Sequence, residues 1–130
     1  MIINYLHPSE LLALHHQLTE TAAITEPTLR DSLLVELACA RAQLTPQPTQ
    51  NPQQILFTAT ALLAESIILW RPFTVLNNAT AFAAIQAMLA LNNYRLACSP
   101  AIAKNTAKNW NESTEYPAIA KWLSLAAEEL

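Results

Sequence analysis

The stretch Trp70-Arg71-Pro72-Phe73-Thr74-Val75-Leu76-Asn77-Asn78-Ala79-Thr80-Ala81-Phe82 decides the fold, because it joins two apolar segments through a short elbow. Upstream, Asn51-Pro52-Gln53-Gln54 reads as a capping box, with Asn at the N-cap, Pro at the first helical position and Gln at the third. The helix it opens is expected over 52–70 and is apolar nearly all round, with Ile55, Leu56, Leu62, Leu63, Ile67, Ile68 and Leu69. Such a helix belongs in the middle of a bundle. Beyond the elbow, Arg71 to Asn77, a second helix is expected over 78–92. Ala79, Phe82, Ala83, Ile85, Ala87 and Leu89 give it a small-residue face that lets neighbours approach closely. Asn92-Asn93 ends it, Asn being the next choice after Gly for a left-handed residue at a helix C-terminus.

The flanks read as helices too. Pro8 at a first helical position, Glu10 at a third, and Leu11, Leu12, Leu14 and Leu18 predict a helix over 8–20. A second helix is expected to start at Pro27 and run to Gln43, carrying Leu29, Leu33, Leu37 and Ala40 at helical spacing. The Pro- and Gln-rich stretch from Thr45 to Asn51 is expected to be a surface loop. Ser99-Pro100 opens a fifth helix to about Trp110. Thr114 to Pro117 opens a sixth, ending near Glu129, with Ile119, Trp122, Leu123 and Ala126 as its buried stripe. No alternating strand pattern lasts more than a few residues. The expected architecture is all-α: one compact domain over 1–130, a bundle of about six helices around the central pair 52–70 and 78–92.

Composition narrows the functions. Charged residues are 13% and apolar residues 52% of the chain, so the charged fraction is about half the usual value. That predicts a compact body with some apolar surface covered by a partner or a second copy. A net charge of −3 leaves no basic stripe for phosphates and argues against nucleic acid. The longest apolar stretch, Ile55 to Trp70, is interrupted by Thr58, Thr60, Glu65 and Ser66 and falls short of the about 20 residues of a membrane span. With no charged-then-apolar leader, a cytoplasmic protein with no membrane partner is expected. Cys39 and Cys98, each among alanines, are expected as buried reduced thiols. The chain has no glycine, which removes every Gly-rich phosphate loop.

The elbow resembles the central motif of the Fic/Doc (death-on-curing) family, His-Pro-Phe-x-Asp/Glu-Gly-Asn-Lys-Arg. The likeness is to the Doc toxin branch in particular and covers most of the chain. Tyr5-Leu6-His7-Pro8-Ser9-Glu10-Leu11-Leu12-Ala13-Leu14-His15 is similar to the first helix of Doc-type proteins. Leu34 to Gln43 is similar to a stretch that ends Ala-Arg-Pro-Gln in many of them. Thr80 to Tyr94 and Ile119 to Leu123 resemble the family's long helix and its last helix. In that family the motif transfers a nucleotide or phosphate to a hydroxyl of another protein.

The resemblance is degenerate where the chemistry lies. The family's general base is His; this chain has Arg71, which cannot accept a proton at neutral pH. The acidic Mg²⁺ ligand falls at Val75, which offers no oxygen. The glycine falls at Leu76, which resists the positive φ that anion nests often need. The phosphate-clamping Lys and Arg fall at Asn78 and Ala79. Pro72, Phe73 and Asn77 match. General-base catalysis alone is worth about 10²- to 10⁴-fold, and the lost clamps remove the electrostatic stabilisation on which phosphoryl transfer depends. No catalytic residue, metal or cofactor is therefore expected. Arg71 and Asn77 are the candidates for residual anion binding, and Arg71 is otherwise expected on a rim or paired with a carboxylate such as Glu65.

Other constellations read as structural. His7, His15 and His16 lack the i,i+4 spacing of a metal-binding helix and are expected as exposed or capping residues. Ser32-Leu33-Leu34-Val35-Glu36 loosely resembles the family's inhibitory helix, but the Arg it would pair with is replaced by Ala79. The aromatics Trp70, Phe73, Phe82, Tyr94, Trp110, Tyr116 and Trp122 are expected to pack in the core and elbow. The resemblance implies a pseudoenzyme that binds protein, either an antitoxin-like helical segment in a groove beside the motif or another copy of itself. The alternatives are an active enzyme with Arg71 and Asn77 on phosphate and Glu65 or Glu36 as base, and a structural homo-oligomer.

Overall fold

The computed structural model describes residues 2–44 and 51–130. These form six helices: α1 (Pro8–Thr21), α2 (Ser32–Gln43), α3 (Pro52–Trp70), α4 (Asn77–Leu91), α5 (Pro100–Lys108) and α6 (Tyr116–Ala126). Two three-residue strands, β1 (Tyr94–Leu96) and β2 (Ala127–Glu129), complete the described elements. The all-α architecture expected from the sequence is the observed one. The linker read between Thr45 and Asn51 lies outside the described residues, apart from Asn51 itself.

Helix α3 is the axis of the bundle. It begins in the expected capping box: Asn51 Oδ1 accepts the Gln54 N–H at 2.8 Å, and Gln54 Oε1 accepts the Asn51 N–H at 3.3 Å. Its apolar circumference is used on every side, by α2, α4 and α6. By length and composition α3 would also pass for a membrane span, but 67% of its apolar window is buried inside the protein. It is a core helix.

Helix α4 packs along α3 and ends at Leu91, and Asn93, at φ 64°, makes the left-handed turn expected of the Asn pair that follows it. In the absence of glycine, other helix ends put Ala23 (φ 57°) and Arg71 (φ 49°) in the same region. The side chain of Asn92 ties the N-terminal segment down, donating to the carbonyls of Asn4 and Met88 and accepting the Asn4 N–H.

Two boundaries differ markedly from the expected ones. Helix α2 starts at Ser32 rather than at Pro27, because Thr28, Arg30 and Asp31 give their backbone groups to the elbow. Asp31 is the true N-cap, its side chain accepting the Leu33 N–H at 2.9 Å. As a result Leu29, Leu33, Leu37 and Ala40 face outward, while Val35, Ala38, Cys39 and Ala42 enter the core. Helix α6 stops at Ala126, and 127–129 continue as a strand antiparallel to β1. A tertiary pairing thus overrides local helix propensity in both places.

Candidate functional site

The elbow is built by closing α3 sharply and restarting the chain as α4. Arg71 takes the left-handed conformation, and its N–H donates to the Ile67 carbonyl at 3.0 Å. The free carbonyls that end a helix need partners. Arg30 supplies them, its guanidinium donating to Arg71 O at 2.7 Å and to Trp70 O. Pro72 O accepts the N–H groups of Arg30 (2.8 Å) and Asp31 (3.1 Å), and the Thr74 N–H donates to Thr28 O at 2.8 Å. Residues 28–31 therefore form a strap across the elbow, with an antiparallel bridge between Leu29 and Phe73.

Asn77 clasps the turn from inside. Its Oδ1 accepts the Phe73 N–H at 3.2 Å and its Nδ2 donates to Phe73 O at 2.8 Å. At 2% exposure, its amide serves the protein's own backbone. Leu76 precedes α4 at φ 61°, ψ 28°. The positive φ that a leucine was expected to resist is adopted nonetheless, at a conformational cost of about 1–2 kcal/mol. Leu76 O then accepts both the N–H (2.9 Å) and the hydroxyl (2.7 Å) of Thr80. Those two bonds, with the Asn77 clasp next to it, hold Leu76 there.

His15 is the residue sequence reasoning misplaced. It is 4% exposed and stacks on Phe73, ring centroids 3.6 Å apart and planes 11° apart. Its Nδ1 lies 2.9 Å from Thr80 Oγ1 and its Nε2 2.7 Å from Thr28 Oγ1. Thr80 gives its hydroxyl proton to Leu76 O, so it accepts from His15. That assigns the proton to Nδ1 and leaves Nε2 to accept from Thr28. Burial, followed by the nearby His16, lowers the His15 pKa below its ordinary 6.5. Leu11 and Thr19, both buried, sit one turn either side of His15 on α1, but a polar Thr19 gave the sequence no sign that this face turns inward. His16 is exposed and pairs with Glu20 at 2.7 Å, and His7 caps α1, its N–H donating to the Glu10 carboxylate.

The other sequence-derived positions divide clearly. Phe73 and Pro72 are buried, Arg71, Val75 and Ala79 are exposed, and Asn78 is half-buried. Asn78 Nδ2 donates to Ala107 O (3.1 Å) and Trp110 O (2.7 Å), fastening α4 to α5. Arg71 does not pair with Glu65. Glu65 Oε1 lies 2.7 Å from Arg41 Nη2, and its Oε2 accepts the Tyr116 N–H, so both oxygens are occupied. Cys39 is buried, and burial, with Glu10, pushes its thiol up to about 11, which makes it a poor nucleophile. Cys98 is partly exposed, contrary to expectation, and neither cysteine forms a disulfide. Among the described residues, no three His, Cys, Asp or Glu side chains come together.

Beside the start of α4 lies an open groove of about 350 Å³ between α1, α4 and α5. Ala79, Phe82, Ala83 and Ala107 are among the apolar residues that line it, together with the exposed Lys104 and Lys108. Neither lysine has an ion pair among the described residues. No protein-family model matches this chain, and no curated protein matches it as a relative.

Proposed function

We propose that this chain is a Fic/Doc-like pseudoenzyme that acts in the cytoplasm as a protein-binding module derived from a toxin–antitoxin pair. The observation that carries the reading is Leu76 at φ 61°. The elbow keeps a left-handed residue where the family motif has glycine, although the residue there is one that pays for it. The turn outlived the chemistry it served. Arg71 stands at the position of the base, Val75 at that of the metal ligand, and the Asn77 amide is engaged by Phe73. Glu65, one of the two substitute bases considered, has both oxygens occupied. These facts support loss of transfer.

The partner in this reading is a helical segment laid in the groove between α1, α4 and α5. Its apolar residues would rest on Ala79, Phe82 and Ala83, and its carboxylates would meet Lys104 and Lys108. Calorimetric titration tests both halves. ATP with Mg²⁺ gives no binding heat, whereas an acidic amphipathic helical peptide binds and loses binding in Ala83→Arg. ATP binding that disappears in Arg71→Ala would restore the enzyme reading. A peptide held equally well by Ala83→Arg would remove the groove from the account.

A further inference from the structure

Helix α2 has two apolar faces, and the fold uses one. At about 100° per residue, Val35, Ala38, Cys39 and Ala42 cluster on the core side. Leu33, Leu37, Ala40 and Leu44 all lie within about 30° of the opposite direction. Leu33 is 56%, Leu37 44% and Leu44 76% exposed, and Leu29, 43% exposed, precedes them. The 4-3-4 spacing of Leu33, Leu37, Ala40 and Leu44 is that of a coiled-coil seam, which presents alternating a and d positions to a facing helix.

We infer that this seam is the contact between two copies of the chain, α2 lying parallel on α2 about a two-fold axis. Self-pairing is favoured by the charges that border the stripe. Glu36 occupies the g position on one side and Arg41 the following e position on the other. In a parallel pair, Glu36 of each copy faces Arg41 of the second copy, the i to i+5 arrangement that sets partner and orientation. Glu36 is exposed with no hydrogen bond or ion pair among the described residues. Arg41 engages Ser66 through Nη1 and Glu65 through Nη2, and its guanidinium keeps further N–H groups for a second carboxylate. The seam is about 17 Å long. It buries less than the about 800 Å² per partner of a standard interface, so the dimer is reversible and concentration-dependent. Nothing in this contact involves the groove beside α4.

Sedimentation equilibrium of the full chain from about 1 to 500 µM is the test, a window chosen for an interface at the small end of the range. The weight-average mass is expected to rise from one chain towards two. Leu37→Asp raises the dissociation constant at least about tenfold, as loss of a central apolar anchor does, and Glu36→Lys weakens the dimer by placing like charges across the seam. Leu37 is 44% exposed and outside the core in the single chain, so the thermal melt of dilute Leu37→Asp falls by no more than the few degrees that its lower helix propensity costs. The groove variant Ala83→Arg leaves the dimer unchanged. A one-chain mass across the whole range overturns the inference, as does a dimer indifferent to Leu37→Asp or one broken by Ala83→Arg instead.

Discussion

Asn77→Ala separates a structural asparagine from a ligand-binding one. The Asn77 amide bonds Phe73 N–H at 3.2 Å and Phe73 O at 2.8 Å, inside an elbow where Phe73 is 1% and Asn77 2% exposed. Truncation leaves both backbone groups buried with no partner. Each such group costs about 1–3 kcal/mol, so the variant should lose roughly 2–6 kcal/mol. For a domain whose total stability is on the order of 10 kcal/mol, that lowers Tm by roughly 8–24 °C. Circular dichroism melts and urea titrations at fixed protein concentration measure it.

Asn77→Asp provides an internal control. The new carboxylate still accepts from Phe73 N–H but points an anionic oxygen at Phe73 O, so it destabilises at neutral pH. Once protonated it can donate to that carbonyl, and the deficit should shrink as pH falls from 7 towards 4. A melt of Asn77→Ala within about 2 °C of wild type would refute the clasp, since even one unsatisfied buried group costs more than that. It would also return the amide to the list of groups free for a ligand.

Three further outcomes follow from the same geometry. Folded His15 has its pKa lowered by burial, so the unfolded chain binds more protons below 6.5; stability present above that pH should fall as pH drops through it, and His15→Phe should flatten that part of a urea-midpoint profile. Arg71→Gly relieves left-handed strain at an exposed helix end and should stabilise by up to about 1 kcal/mol in the same unfolding assay; Arg71→Ala, which keeps the strain, should not. Arg41→Met strands Glu65 between α3 and α6 and should cost about 3–5 kcal/mol by chemical denaturation, much of it recovered when Glu65→Leu is added.

The elements were legible where local chemistry and tertiary demand agree. Pro at the start of α1, α3 and α5 and the box at Asn51 and Gln54 mark helix starts through backbone groups that have no other use. The all-round apolar surface of 52–70 could be satisfied only at the centre of a bundle. Pro27 carries the same local signal, yet the strap it introduces pairs with residues 72–74, more than 40 positions away. No window around Pro27 contains that information. The end of α6 is lost the same way, because 127–129 find a strand partner in 94–96.

For the site, the sequence by itself determined which atoms are absent: Arg71 cannot be a base, Val75 cannot ligate a metal, and no glycine lines a phosphate. Those are properties of side chains and hold in any fold. It also showed an apolar stripe on α2 at helical spacing. Tertiary structure alone decided that the stripe faces water, that Leu76 is held at positive φ, and that His15 lies buried against Phe73 between Thr28 and Thr80. Direction, strain and burial depend on which distant groups complete each hydrogen bond and each packed face, and those partners are chosen only when the chain closes on itself.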